Sequence, residues 1–207
     1  DGEGAANARI AEDVLRQAGV IRAGSLRDLF DVARGVPILP TPKGENVVII
    51  TGAGGSGVLL SDACVDNGLS LMAMPADLDA AFRKFIPPFG AAGNPVDITG
   101  GEPPITYMNT VRLGLEDDRI HALILGYWHT IVTPPMVFAR NMVQVVAEMR
   151  AKGIVKPIVV SLAGDVEVEE AAQYLYENGI PAYAYSTEIP VAVLGAKYQW
   201  ARGAGLL

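Results

Sequence analysis

Four glycines fall within the six residues Gly52-Ala53-Gly54-Gly55-Ser56-Gly57, between the β-branched run Val47–Thr51 and an apolar stretch that opens at Val58. Strand, glycine loop, helix is an order that suits anion chemistry. Glycines let the backbone turn sharply and come close to a ligand. The helix that follows offers unpaired N–H groups and about half a positive charge at its start. Gly52, Ala53, Gly54, Gly55, Ser56 and Gly57 are therefore candidates for a phosphate cradle. A tight strand-to-helix turn without a ligand is the plainer alternative. Gly52, Gly54 and Gly57 also satisfy G-x-G-x-x-G, a pattern of dinucleotide-binding loops. Against that use, the next apolar run ends Ala73-Met74-Pro75 with no acidic residue for a ribose, and Asp77 lies beyond a proline.

A second stretch, Gly93-Asn94-Pro95-Val96-Asp97-Ile98-Thr99-Gly100-Gly101, combines a proline that fixes local geometry with two glycines that free it. Asn94, Asp97, Thr99, Gly100 and Gly101 form a candidate substrate loop, with an Asx-type structural turn as the alternative. His129 follows Tyr127 and Trp128 and is a candidate to support the site from behind. His121 reads as a surface residue and Cys64 as a core residue. Two histidines and one cysteine give no metal-ligand spacing, so no metal site is expected. No G-x-S-x-G nucleophile motif is present, and no catalytic residue is assigned.

These candidates sit in an acidic chain. Its 16 Lys and Arg against 23 Asp and Glu give a net charge of −7. Without a basic cluster it is a poor partner for nucleic acid, and an anionic ligand must be held locally against the overall field. The lysines, Lys197 included, are scattered and read as solvated. Asp165, Glu167, Glu169 and Glu170 gather where a helix begins. No apolar run reaches the roughly 18–20 residues of a membrane helix. No secretory leader is read at the start, and the single cysteine fits a reducing compartment, so a cytoplasmic location is expected.

The elements that must position the loops follow from periodicity and breakers. Helices are expected over 5–18 and, capped by Ser25, over 26–34, with a short strand over 20–22 between them. The segment 36–46, with Pro37, Pro40, Pro42 and Gly44, reads as a linker. Strands are expected over 47–51, 69–74, 122–127, 157–162 and 182–185. Helices are expected over 56–66, 77–85, 106–115, 134–151, 166–178 and 189–202, and 87–104 reads as a long loop. Alternating strands and helices predict a parallel five-stranded sheet covered on both faces, an α/β fold of flavodoxin-like order 2-1-3-4-5. Such folds bind ligands at the carboxyl ends of their strands. The piece before residue 36 is too short to bury its own apolar faces.

The order of motifs resembles the NDP-forming acyl-CoA synthetases, relatives of the ADP-forming acetyl-CoA synthetases and succinyl-CoA synthetase. The residues that carry the resemblance are Arg16-Gln17-Ala18-Gly19-Val20-Ile21-Arg22, Leu26–Ala33, Pro42-Lys43-Gly44, Val48–Asp62 and Gly93-Asn94-Pro95-Val96-Asp97. It covers nearly the whole chain. It implies a succinyl-CoA synthetase-like CoA-ligase domain over 47–207, preceded by a remnant (1–35) of the histidine-bearing domain. The implied reaction joins a small carboxylic acid to CoA at the expense of ATP, through an acyl phosphate and a phosphohistidine held between two helix N-termini. Gly52–Gly57 would supply one of those termini, and Asn94–Gly101 the adjoining loop. CoA and ATP with Mg would be substrates of the complete enzyme. CoA-binding and ATP-grasp domains would be its partners, on the same chain or another subunit, in an oligomer.

Two departures from the family pattern stand out. Where the family usually has Thr-Asn-Ala-Gly-Gly-Pro-Gly, this chain has Thr51-Gly52-Ala53-Gly54-Gly55-Ser56-Gly57 and so loses an asparagine contact. The family's phosphorylated histidine, in a Ser-His-Thr-Gly loop, aligns just ahead of Asp1-Gly2, so this fragment is expected to be inactive alone. Two alternatives stay open at this point: a non-catalytic regulatory module of the kind fused to lysine acetyltransferases, and an NAD(P)-dependent oxidoreductase.

Overall fold

The computed structural model describes residues 2–207, with side chains from Ile10 onward. Its elements run α1 (Gly2–Gln17), α2 (Leu26–Gly35), a 3-10 turn (Val36–Ile38), β1 (Asn46–Thr51), α3 (Gly54–Asp66), β2 (Ser70–Leu71), α4 (Ala76–Phe82), β3 (Val96–Asp97), α5 (Pro104–Glu116), β4 (Ala122–Trp128), α6 (Pro135–Ala151), β5 (Ile158–Ala163), α7 (Glu167–Glu177), β6 (Ala182–Ala184) and α8 (Glu188–Gly203). The strands pair in parallel in the order β2-β1-β4-β5-β6, with β3 added beside β1. Leaving β3 aside, this is the expected 2-1-3-4-5 order.

Period-two alternation divides the core between the two faces of the sheet. Val48, Ile50, Leu123, Leu125, Val160 and Leu162 point to a layer formed by α4 to α7. Val47, Ile49, Ala122, Ile124 and Val159 point to α3 and α8. With both faces covered, the strands read as continuous apolar runs.

Several expectations need correction. The strand expected over 69–74 is only two residues long, and two further ladder residues, Val96 and Asp97, lie inside the expected loop. Asn94 accounts for both. Its Oδ1 accepts the Ile49 N–H (3.0 Å), and its Nδ2 donates to the carbonyls of Val47 (2.8 Å) and Met72 (3.0 Å). One side chain thus takes the place of ladder bonds on the outer edge of β1. β2 pairs below it at Asn46 and Val47, and β3 pairs above it at Ile50 and Thr51. Val20–Arg22 forms no strand, because no strand among the described residues lies beside it to pair with. Lys197 is buried rather than solvated, with its ammonium 4.2 Å above the Trp200 ring. His121 is also more than a surface residue: its Nδ1 accepts the Asn46 N–H (3.0 Å) at the amino edge of the sheet.

α2 begins as expected, with Ser25 Oγ accepting the Asp28 N–H (3.1 Å). It is tied to the body through Tyr183, whose hydroxyl donates to the Asp31 carbonyl (2.9 Å). Its apolar face, however, points to solvent: Leu26 is 75% exposed and Phe30 65%. Ile10, Val14 and Leu15 of α1 are exposed in the same way.

Candidate functional site

β1 delivers the glycine loop to the carboxyl edge of the sheet. Gly52 N–H is spent on the Gly126 carbonyl (3.0 Å) and Ala53 N–H on Thr51 Oγ1 (3.1 Å). The helix α3 starts at Gly54, two residues earlier than its sequence suggests, and no side chain among the described residues caps it. Its first ladder bond runs from Gly57 N–H to the Ala53 carbonyl (3.0 Å). The N–H groups of Gly54, Gly55 and Ser56 therefore precede the ladder and remain as donors. Of the six candidate loop residues, these three carry the anion-binding capacity.

The other glycines of the loop answer to packing. A methyl group on Gly52 would lie 2.3 Å from the Tyr107 hydroxyl, and one on Gly57 would lie 3.1 Å from Thr51 Cγ2 and 3.3 Å from Pro95. Tyr107 is buried, and its hydroxyl donates to the Gly126 carbonyl (3.1 Å). The asparagine of the family pattern has no room beside it. Gly55 opens onto free space, with no described atom within 4 Å of the position a methyl group would take.

The second loop meets the first. Ile98 N–H donates to the Thr51 carbonyl (2.9 Å). Asp97 Oδ1 accepts the Thr99 N–H (2.8 Å), while its Oδ2 lies against Gly54. Gly100 packs against the Gly52 carbonyl and Thr130, whereas Gly101 is open. Thr99 holds a left-handed φ of 64°, and its Oγ1 is buried without a hydrogen-bond partner among the described residues. Asn94 is occupied in the sheet, so its part is to position this loop. His129 N–H donates to the Ala163 carbonyl (2.8 Å), and its Nε2 lies 3.6 Å from Glu167 Oε2 at the start of α7. Cys64 is buried, and burial pushes its thiol up to about 12, which leaves it unreactive.

A cleft of about 810 Å³ opens in front of the α3 N-terminus. Gly55, Ser56 and Leu59 form one side; Trp128, Ser161 and Ala163 form the floor; Tyr185 to Glu188 form the far side. Sequence reasoning did not select Trp128, Tyr185 or Glu188. Trp128 stands next to the chosen His129 and could have been found from its place at a strand's carboxyl end. Tyr185 closes the strand expected over 182–185 and could have been found in the same way, whereas its strain, a φ of 63° on a bulky side chain, belongs to the folded backbone. Ser186 Oγ accepts the Ile189 N–H (3.0 Å) and donates to Glu188 Oε2 (3.1 Å). A bond from its own backbone N–H holds the Glu188 carboxyl below the usual range. A second cleft of about 800 Å³ lies between the α1–α2 segment and the helices α3 and α8. It meets α3 at its C-terminal end, away from the open donors.

The Ligase-CoA domain family matches residues 47–207. The chain belongs to that family. It is 38% identical over 194 residues to the alpha subunit of the ADP-forming acetate–CoA ligase I of Pyrococcus furiosus, covering 94% of this chain and 41% of that protein. It is 28% identical over 181 residues to the ADP-forming 4-hydroxybutyrate–CoA ligase of Nitrosopumilus maritimus, covering 86% of this chain and 24% of that one. Among solved structures, acetyl-coenzyme A synthetase 1 of Ca. Korarchaeum cryptofilum, in complex with phosphate and ADP, superposes with a TM-score of 0.87 at 34% identity. That match covers 96% of this chain and 42% of the synthetase. The chain thus spans about two fifths, or less, of the length of these relatives.

The resemblance read from the motif order is confirmed. The relatives of this Ligase-CoA domain are CoA ligases and a synthetase, and neither the regulatory nor the oxidoreductase alternative is supported. The geometry agrees on the second point. Asp77, the nearest acid after the second strand, is held by Arg119 (2.8 Å) beside Asp117. Arg119 lies just before β4, at the amino edge of the sheet, away from any ribose at the loop. Among the described residues no helix is long and apolar enough to cross a membrane.

Proposed function

We propose that this chain is the ligase-domain part of an NDP-forming acyl-CoA synthetase, which converts an acid, CoA and ATP into acyl-CoA, ADP and phosphate. In this reading the N–H groups of Gly54, Gly55 and Ser56 hold the phosphoryl group while it passes between a histidine and the acid. Its negative charge is met by fixed donors and the helix dipole, which need no rearrangement as the reaction proceeds. Asp97 and Asn94 fix the adjoining loop, with Thr99, Gly100 and Gly101, at the rim. Tyr107 under Gly52 keeps the first turn of α3 from shifting. His129 supports the edge of the sheet near α7. The observation that carries the proposal is the uncapped start of α3, facing a wide cleft in a protein of net charge −7. Other helices of the chain also start uncapped; α3 is the one whose open donors line this cleft at the carboxyl edge of the sheet, where an anion can reach them.

The rest of the machinery lies in the further length of such enzymes. Residues 1–35 are the tail of the histidine-bearing domain, and the exposed faces of α1 and α2 are where its remainder packs. CoA-binding and ATP-grasp domains, fused or on a partner subunit, bring CoA and ATP with Mg, in the cytoplasm. The test is nucleotide turnover by the complete natural protein with those domains present. ADP formation should require both an acid and CoA. A folded, complete protein that is inert with a broad range of acids would contradict the proposal.

A further inference from the structure

The chain enters its sheet through a titratable contact. Between the 3-10 turn and β1 it runs to the amino edge of the sheet, with Leu39 buried and Gly44 against the ring of His121. A methyl group on Gly44 would lie 2.5 Å from Cε1 and 2.7 Å from each nitrogen of that ring, so backbone and imidazole touch directly. From there His121 reaches the first residue of β1. Its Nδ1 accepts the Asn46 N–H (3.0 Å), and its own backbone N–H donates to the Asn46 carbonyl (2.8 Å). A ring nitrogen that accepts a hydrogen bond carries no proton, so this contact requires the neutral imidazole with its proton on Nε2.

Charged groups from several elements surround the ring. Glu45, beside Asn46, is paired with Arg202 of α8 (2.6 Å). Lys156, ahead of β5, donates to the Asp117 carbonyl (2.7 Å) and has Asp118, Asp117 and Lys43 around it. Asp117 is held in turn by Arg119 (2.6 Å). Burial and the Lys156 ammonium hold the His121 imidazole below its usual range, and Glu45 offsets only part of this. Hydrogen bonds from Arg202 and Arg119 hold Glu45 and Asp117 below the usual carboxylate range, so both stay ionised in weak acid. Tyr198, whose hydroxyl donates to the Gly44 carbonyl (3.0 Å), is pushed up by burial and stays neutral. On mild acidification His121 is the member of this group that changes charge.

We propose that His121 is a pH-operated latch on the segment 39–46. Neutral, it holds the entrance of β1. Protonated, it turns a second N–H toward that of Asn46, two donors face each other, and the entrance opens. Tyr198 and the Glu45–Arg202 pair keep their contacts, so the opening is local and reversible. β1 runs unbroken from Asn46 to Thr51, the residue ahead of the glycine loop, so the latch anchors the strand that delivers that loop. Because the folded His121 value lies below 6.5, the latch contributes its full stability above 6.5 and loses it as the pH falls through the folded value.

The test is the hydrogen-exchange protection of the Asn46 amide in the complete natural protein, corrected for the intrinsic rate, at about pH 7.5 and about pH 5.5. Wild type should lose about fivefold or more of this protection on acidification, the worth of one hydrogen bond. In His121→Asn the amide oxygen takes the place of Nδ1 and does not titrate, so protection should hold at both values. In His121→Phe, which keeps a ring over Gly44 but no acceptor, protection should be low at both. Wild-type protection that does not change with pH overturns the latch. So does a His121→Asn protein that loses protection as wild type does, since another group would then be responsible. Should His121→Phe fail to fold, wild type and His121→Asn decide the matter between them.

Discussion

Two helices begin at the same cleft, and they treat their N-termini in opposite ways. At α8, Ser186 accepts a backbone N–H and Glu188 places a carboxylate in the first turn, so the dipole is satisfied from within the chain. At α3 the described residues supply no side-chain cap, and the first turn holds no acidic residue. The nearest carboxylate, Asp97, is directed by its bond to Thr99 N–H and leans on one side of Gly54. Leaving a cap off a helix costs about 0.5–2 kcal/mol. At α8 the protein takes that stabilisation, and at α3, on the other wall of the same cleft, it forgoes it. Helices α5 and α6 also begin without a side-chain cap or an acidic first turn, so what sets α3 apart is that its open donors face the cleft.

The sharpest way to break this contrast is to give α3 what α8 already has. Gly55→Asp has free space for its side chain. A carboxylate in the first turn should support the helix by about 0.3–1 kcal/mol. The melting temperature of the complete enzyme should therefore hold or rise, while its ADP-forming turnover falls by about 10² or more through loss of the anion site. A variant as active as wild type would mean that the open terminus has no ligand.

A smaller effect tests how the α3 loop is held. In Gly52→Ala the new methyl meets the Tyr107 hydroxyl, and such overpacking should cost about 1–3 kcal/mol, read as a shift in denaturant midpoint. Tyr107→Phe alone should cost about 1 kcal/mol for the lost bond to Gly126, whose carbonyl keeps the Gly52 N–H. The double variant should be more stable than the sum of the two losses, because the residues meet at one contact.

The smallest effect belongs to α8. Its folded Glu188 carboxyl lies below the ordinary value of 4.5 because it bonds its own backbone N–H. Below 4.5 the unfolded chain binds the proton first, so the stability this group contributes is complete above that value and is lost as the pH falls through the folded value. Glu188→Gln should therefore be slightly less stable than wild type near neutral pH, and the gap should close only under acid conditions. The group is exposed to solvent, so the gap is small. A gap that persists in acid would show that Glu188 acts through packing instead of charge.

Much of the fold was legible, because β-branched runs separated by breakers leave little choice for Val47–Thr51, Ala122–Tyr127 or Pro157–Leu162. What escaped has identifiable causes. The start of α3 reads two residues late because Gly54 and Gly55 are poor helix formers in isolation. The shortened β2 and the added β3 depend on one asparagine side chain reaching across 45 residues or more of sequence to the edge of β1, which no local pattern announces. The site divides in the same way. Its donor loop is contiguous and carries a glycine signature. Its apolar wall is assembled from Leu59, Trp128 and Tyr185, on three elements with no shared spacing, so only the folded sheet edge brings it together.

The most direct test of the central claim is transfer of label from γ-labelled ATP to the intact natural protein, in the presence of its nucleotide-binding part. The account predicts acid-labile, base-stable phosphate on the wild-type protein, and loss of that label in Gly55→Asp with the fold intact. Equal labelling of the two proteins would contradict the assignment of α3 as the phosphate-holding helix. No label on a folded, complete wild-type protein would contradict the synthetase reading itself.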